Sequence, residues 1–248
     1  MTYDFIDRFS HLDSPLHRLD PRAKIVGILC AVVVIASTPH DHLGGFVGFY
    51  LMIAGLVVVS RIPAGFLVSR CLFASPFIVM AAFLPFLSLW LEGSQAPAAS
   101  SPAQLALSVL LKAYAAILLL TLLTSTSRFD HLLWGLRRLR APEILYVIAT
   151  LMYRYIFILL DEWRRTAQAQ KVRTPQGLKV SRVGLFGKHV ALVFIRGWER
   201  AERVQAAMTV RGFSGELPLR NVSRFGAGDA VFLALFVLAF VGVRQFAA

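Results

Sequence analysis

Runs of about twenty mostly apolar residues, the length a helix needs to cross a bilayer, recur along this chain and confine it to a bundle of helices in lipid. Leu43–Ser60, Cys71–Leu91 and Ala103–Thr124 are three such runs, and Asp229–Val243 closes the chain as another candidate. Ile25–Thr38 is short alone, but Arg22 and Lys24 can snorkel and extend it to about Pro21. Soluble domains carry roughly a quarter charged residues. Here the charged share is 16% and the mean hydropathy +0.65, so water is not the main solvent. The fold expected is an all-α polytopic membrane protein with about five transmembrane helices and long cytoplasmic helices. Cys30 and Cys71 both lie inside apolar runs, which excludes a disulfide scaffold. Residues 1–24 balance four acids with four bases ahead of the first run, so no secretory signal is expected there. Phe46, Tyr50, Trp90 and Tyr114, near span ends, read as membrane anchors.

A net charge of +12 is unusual beside so much apolar sequence, and its distribution sets the topology. Of the 26 Lys and Arg residues, 18 lie between Arg128 and Arg224. One stretch inside that region, Ile144–Leu160, is apolar enough to insert. Arg154 costs roughly 2.5–3.5 kcal/mol at a bilayer centre, which its apolar neighbours nearly cancel. If 144–160 crossed, Arg128, Arg137, Arg138 and Arg140 would face away from the 13 bases between Arg164 and Arg224. Lys and Arg collect on the cytoplasmic side, so five crossings fit better than six. All 18 bases then share the cytoplasm with the amino terminus and with an Arg61–Arg70 turn, while 39–42 and 92–102 carry no base. The chain divides accordingly into 1–127, with the amino-terminal segment and four spans, 128–224, a cytoplasmic helical region, and 225–248, the last span.

Within 128–224, Arg128–Leu139 reads as a short amphipathic helix ended by Ala141-Pro142. Proline suits a first helical turn, so a long helix is expected from there to about Arg173, where Thr174-Pro175-Gln176-Gly177 stops it. A second runs from about Lys188 to Arg211. Its apolar positions Val190, Val193, Phe194, Trp198, Ala201, Val204 and Met208 recur at three- and four-residue steps. Glu199 and Arg203 pair one turn apart, as do Asp161 and Arg165. Gly212 caps the helix. Gly197 and Ala201, four apart, let another helix backbone come close.

These two helices end alike. Asp161-x3-Arg165-x3-Ala169-x2-Val172-Arg173 returns 38 residues later as Glu199-x3-Arg203-x3-Ala207-x2-Val210-Arg211. An amphipathic helix end can enter an apolar groove of a partner. Alanine near the tip allows close approach, and a terminal arginine offers a bidentate fork to a carboxylate. Two copies suit a partner that is itself a dimer with two grooves. Arginines at such ends also sit favourably beside helix carboxyl termini or lipid headgroups, and the repeat favours the plug.

Ser14-Pro15-Leu16-His17-Arg18-Leu19-Asp20-Pro21-Arg22-Ala23-Lys24, ahead of the first span, resembles the opening signature of the transmembrane T component of energy-coupling factor (ECF) transporters. The helix ends resemble that family's paired Ala-x-x-x-Arg-Gly signatures. The second is Ala207-Met208-Thr209-Val210-Arg211-Gly212 and the first, less closely, Ala169-Gln170-Lys171-Val172-Arg173-Thr174. Length and opening motif are most similar to the cobalt/nickel, CbiQ-type branch. The resemblance implies a non-catalytic scaffold of an uptake transporter in the bacterial inner membrane, with its amino terminus cytoplasmic. Its coupling helices would join two ABC-type ATPase subunits to a substrate-binding membrane subunit, which in this family a small accessory membrane subunit can accompany. Arg173 and Arg211 would then be the residues seated in the ATPase grooves. Thr174-Pro175 departs from the small residue usual after the first arginine.

Other chemistries fit less well. Gly184-Leu185-Phe186-Gly187-Lys188-His189 is no phosphate-binding loop: Arg182 stands where the first glycine belongs and His189 where Ser or Thr would hold magnesium. His40-Asp41-His42 could offer nickel or cobalt ligands, but reads better as a solvated turn between helices. No resident metal or cofactor is expected. Lys112, near mid-span, should face a protein interior or a watery path rather than lipid. A self-sufficient permease or channel would use Lys112 and His40–His42 to line its path. An enzyme is not expected, since only 14 acids exist and the spans cluster none of them. The arginines interleave with apolar faces beside spans, which suits anionic lipid and acidic grooves rather than nucleic acid.

Overall fold

A computed structural model describes residues 14–39, 43–92, 101–173, 182–215 and 226–247. Among these residues the chain is helical throughout. The helices are α1 Pro15–Arg18, α2 Pro21–Ala36, α3 Leu43–Ser60, α4 Ala64–Glu92, α5 Pro102–Thr126, α6 Phe129–Arg138, α7 Glu143–Arg173, α8 Arg182–Val210 and α9 Ala227–Ala247. The protein is an all-α polytopic membrane protein. The His40-Asp41-His42 turn and the Thr174–Gly177 stop lie outside the described residues.

Local chemistry sets the helix starts. Pro21 opens α2 behind Asp20, whose side chain accepts from the Arg22 backbone N–H. Ser101 and Gln104 close a reciprocal capping box on α5, again with proline in the first turn. α4 begins seven residues before the apolar run that announced it, so Arg70 lies inside a helix rather than in a turn. Pro76 and Pro85 are both carried within α4. Ala64–Leu87, Pro102–Thr126, Glu143–Val172 and Ala227–Gln245 are long and apolar enough to cross a membrane; Gly44–Ser60 is a shorter apolar helix. Glu143–Val172 meets that standard despite Arg154, as the near balance of its side chains implies.

The chain forms two compact units, one of residues 140–220 and one of 2–139 with 221–248. In the second, α2 packs against α5, α6 and α9, α3 against α5 and α9, and α4 against α5. Ile28, Ala31, Ile35, Phe49, Leu119, Leu122 and Phe240 are core residues there. Two of the aromatic anchors are corrected by this packing. Phe46 is 1% exposed and meets Phe49 edge-on, while Tyr50 donates its hydroxyl to the Leu111 carbonyl on α5. Gly48 is needed for the α3–α9 approach, since a Cβ there would lie 2.8 Å from Val243 Cγ1.

In the 140–220 unit α7 and α8 pack antiparallel. Contacts step from Leu159 beside Gly197 to Trp163 and Gln170 beside His189, so one helix advances as the other retreats.

Candidate functional site

The two helix ends are built from the same parts. α8 closes in a Schellman turn: Gly212 N donates to Thr209 O at 3.0 Å and Phe213 N to Met208 O at 3.0 Å, with Gly212 at φ +78°. That left-handed position favours glycine, so the helix ends at Val210 and is followed by Arg211, which is exposed. α7 stops on Arg173. Ala169 and Ala207 are both exposed, and Val172 and Val210 are each 88% exposed, the most bared large apolar side chains among the described residues. Each helix end therefore bares a valine immediately before an arginine.

Their placement is matched as well. At Gly197 α8 approaches α7 closely: a Cβ there would meet Leu159 Cδ2 at 3.1 Å. Leu159 and Gly197 are themselves 38 residues apart, so equivalent positions of the repeat touch each other. Each lies fourteen residues before its arginine, about 21 Å of helix at 1.5 Å per residue. Because the helices are antiparallel, the two arms leave the crossing in opposite directions with equal reach. Ala201, one turn beyond Gly197, is exposed.

Polar contacts brace the crossing. Arg196 on α8 forms an ion pair with Glu162 on α7. Arg203 stands 3.9 Å from Glu199 on the exposed side. Ile158, Leu159, Glu162, Arg196, Gly197 and Arg200 border an open cavity of about 220 Å³ beside the pair. Nearer the α7 tip, His189 is 4% exposed, with Nδ1 3.0 Å from Gln170 Oε1 and Nε2 3.1 Å from the Trp163 carbonyl. The Trp163 ring lies 4.0 Å from the imidazole and meets Phe186 edge-on at 5.7 Å. Sequence reasoning missed this cluster because a lone histidine among arginines has no spacing signal. The apolar face of α8 divides: Val193, Val204 and Met208 are half-buried, while Val190, Phe194 and Trp198 remain exposed.

The motif before the first span has a structural use that charge counting misses. Lys24 does not snorkel; it is 5% exposed, and its ammonium donates to Thr126 O and Ser127 Oγ, both at 3.1 Å, and to His17 O at 3.2 Å. Asp20 and Asp229 supply the neighbouring negative charge, and Asp20 N donates to Asp229 Oδ1 at 3.1 Å. One lysine therefore ties the start of α2 to α1, to the end of α5 and, through the acids, to α9. Arg22 lies over the Trp134 ring at 4.6 Å.

Lys112 is likewise accounted for. Its Nζ donates to Ala36 O at 3.1 Å and Thr38 O at 2.7 Å, satisfying carbonyls that the end of α2 leaves open. Charge-assisted bonds of this kind contribute about 1.5–3 kcal/mol. Lys112→Met should lower the thermal midpoint by about 5 °C. An unchanged midpoint would mean that the two bonds contribute nothing to stability. Among the described residues, no three His, Cys, Asp or Glu side chains converge as a metal would need.

A family model described as cobalt transport protein, CbiQ, matches residues 13–221. The energy-coupling factor transporter transmembrane protein EcfT of Bacillus selenitireducens is 29% identical, with 91% of this chain and 90% of the relative covered. EcfT of Bacillus subtilis is 26% identical over 91% and 92% of the two chains. The cobalt transport protein CbiQ of Rhodobacter capsulatus is 28% identical over 86% and 84%.

Proposed function

The chain belongs to the CbiQ family of cobalt transport proteins, and from that premise we propose that it is the coupling subunit of an ATP-driven importer for cobalt or nickel. It performs no catalysis itself. Two ABC-type ATPase subunits hydrolyse ATP, and a separate membrane subunit captures the metal ion, with a small accessory membrane subunit where the system has one. The protein lies in the bacterial inner membrane with its amino terminus and both helix ends in the cytoplasm.

The observation that carries this reading is the matched pair of ends: Val172-Arg173 and Val210-Arg211, each fourteen residues from the Leu159–Gly197 crossing. A bared valine at each tip of a basic helix pair suits an apolar groove, and an arginine beside it suits a carboxylate within that groove. Equal arms suit a partner with two equivalent grooves. When ATP binding closes the ATPase dimer, the grooves change separation and the tips follow. Motion at the tips turns the helices about the crossing, where glycine permits sliding, and α7 and α8 carry it to the metal-capturing subunit.

Reconstitution tests the reading. Liposomes holding this chain alone should show no metal flux, while the chain with ATPases and capture subunit should show ATP-dependent uptake. Flux through the chain alone would establish a permease. Gly197→Val drives a branched side chain against Leu159. The complex should still assemble and hydrolyse ATP, with uptake reduced about tenfold or more; normal uptake would show that motion does not pass through this contact.

A further inference from the structure

We propose that Arg22, Trp134 and Arg138 form a headgroup site for an anionic phospholipid where α2 begins and α5 ends. Trp134 lies on α6, a ten-residue helix packed against the first turn of α2, with a Gly135 Cβ position 3.3 Å from Pro21 and 3.1 Å from Ile25. Its indole is 2% exposed and flanked by two guanidinium groups, Arg22 at 4.6 Å and Arg138 at 5.8 Å from the ring centroid. Trp134 Nε1 and Arg22 Nε are buried and make no hydrogen bond.

Buried donors left unpaired are costly, and the neighbouring acids do not meet the need. Asp20 Oδ1 stands 3.9 Å from Arg22 Nε and already accepts from the Arg22 backbone; Asp229 accepts from Asp20 N and Gly226 N; Asp130 lies 3.4 Å from Arg128. Neither donor has an acceptor within hydrogen-bonding reach, and Asp130 Oδ1, itself buried and without a hydrogen bond, does not reach them. Arg138 is exposed and can swing off the indole to admit a phosphate oxygen. Leu136 on α6 and Leu139, which caps that helix, are 45% and 40% exposed. Bared leucines beside a guanidinium pair match an acyl chain beside a phosphate, as amphipathic helices at the membrane surface do. This site is separate from the helix tips and holds whether or not they couple to an ATPase.

The test uses the full chain, stripped of lipid in neutral detergent and titrated with phosphatidylglycerol or phosphatidylcholine. Thermal midpoint and native mass spectrometry are the readouts. Phosphatidylglycerol should raise the midpoint by several degrees and remain bound at concentrations where phosphatidylcholine does neither. Arg138→Gln, an exposed change that leaves the fold intact, should weaken that response about tenfold. Trp134→Phe keeps the ring, removes the N–H and should weaken it severalfold. Equal responses to the two lipids, an unchanged response in both variants, or the same shift from inorganic phosphate alone would each overturn the proposal.

Discussion

Reversing charge at both helix ends, with Arg173→Glu and Arg211→Glu together, should abolish co-purification with the ATPase subunits while the chain still inserts and folds. Arg211 is exposed and Arg173 ends its helix, and surface substitutions seldom move stability by more than about 0.5 kcal/mol. At a partner's groove the arithmetic differs. Removing one member of a desolvated charge pair costs roughly 2–5 kcal/mol, about 30-fold or more in affinity per tip, and reversal adds repulsion. Each single variant should therefore weaken the complex, and the pair should dissolve it. A complex that survives the double reversal would mean that the arginines serve only their own helix ends.

Lys24→Met should be the most destabilising single substitution among those considered. The ammonium is nearly sealed from solvent, holds three acceptors on α1 and at the end of α5, and lies beside Asp20 and Asp229. Removing one partner of a buried charge network costs roughly 3–5 kcal/mol, because the remaining charges stay buried. In a chain of this size that is a fall of about 10 °C in thermal midpoint. Lys24→Arg should recover little, since a planar fork does not fit acceptors gathered around a compact ammonium. A fall below about 2 °C in detergent would show that the knot contributes little to stability.

Apolar length and helix punctuation were enough to announce the long apolar helices α3, α4, α5 and α9 and to end α8 beside Arg211. Both signals are local: twenty apolar residues have few other options, and Gly212 must be left-handed where it stands. The internal repeat was legible too, because register survives in one dimension. What it could not disclose is that Leu159 and Gly197, equivalent positions within it, meet each other, since contact depends on how two helices cross. Lys24 looked like a snorkelling lysine because its acceptors, Thr126 and Ser127, lie more than a hundred residues away. Phe46 looked like a membrane anchor for the same reason; its partners come from the folded bundle. α8 starts six residues earlier than its amphipathic pattern suggested, because Gly184 and Gly187 read as loop although the helix runs through them.

Site-directed labelling probes the central claim most directly. Valine-to-cysteine changes at Val172 and Val210, in a background lacking Cys30 and Cys71, place a thiol at each bared tip without touching the arginines. A membrane-impermeant maleimide should leave both unlabelled in intact cells. In inside-out vesicles both should label, and co-expressed ATPase subunits should protect both. Labelling of either tip from outside intact cells, or labelling in vesicles that the ATPases leave unchanged, contradicts the coupling role.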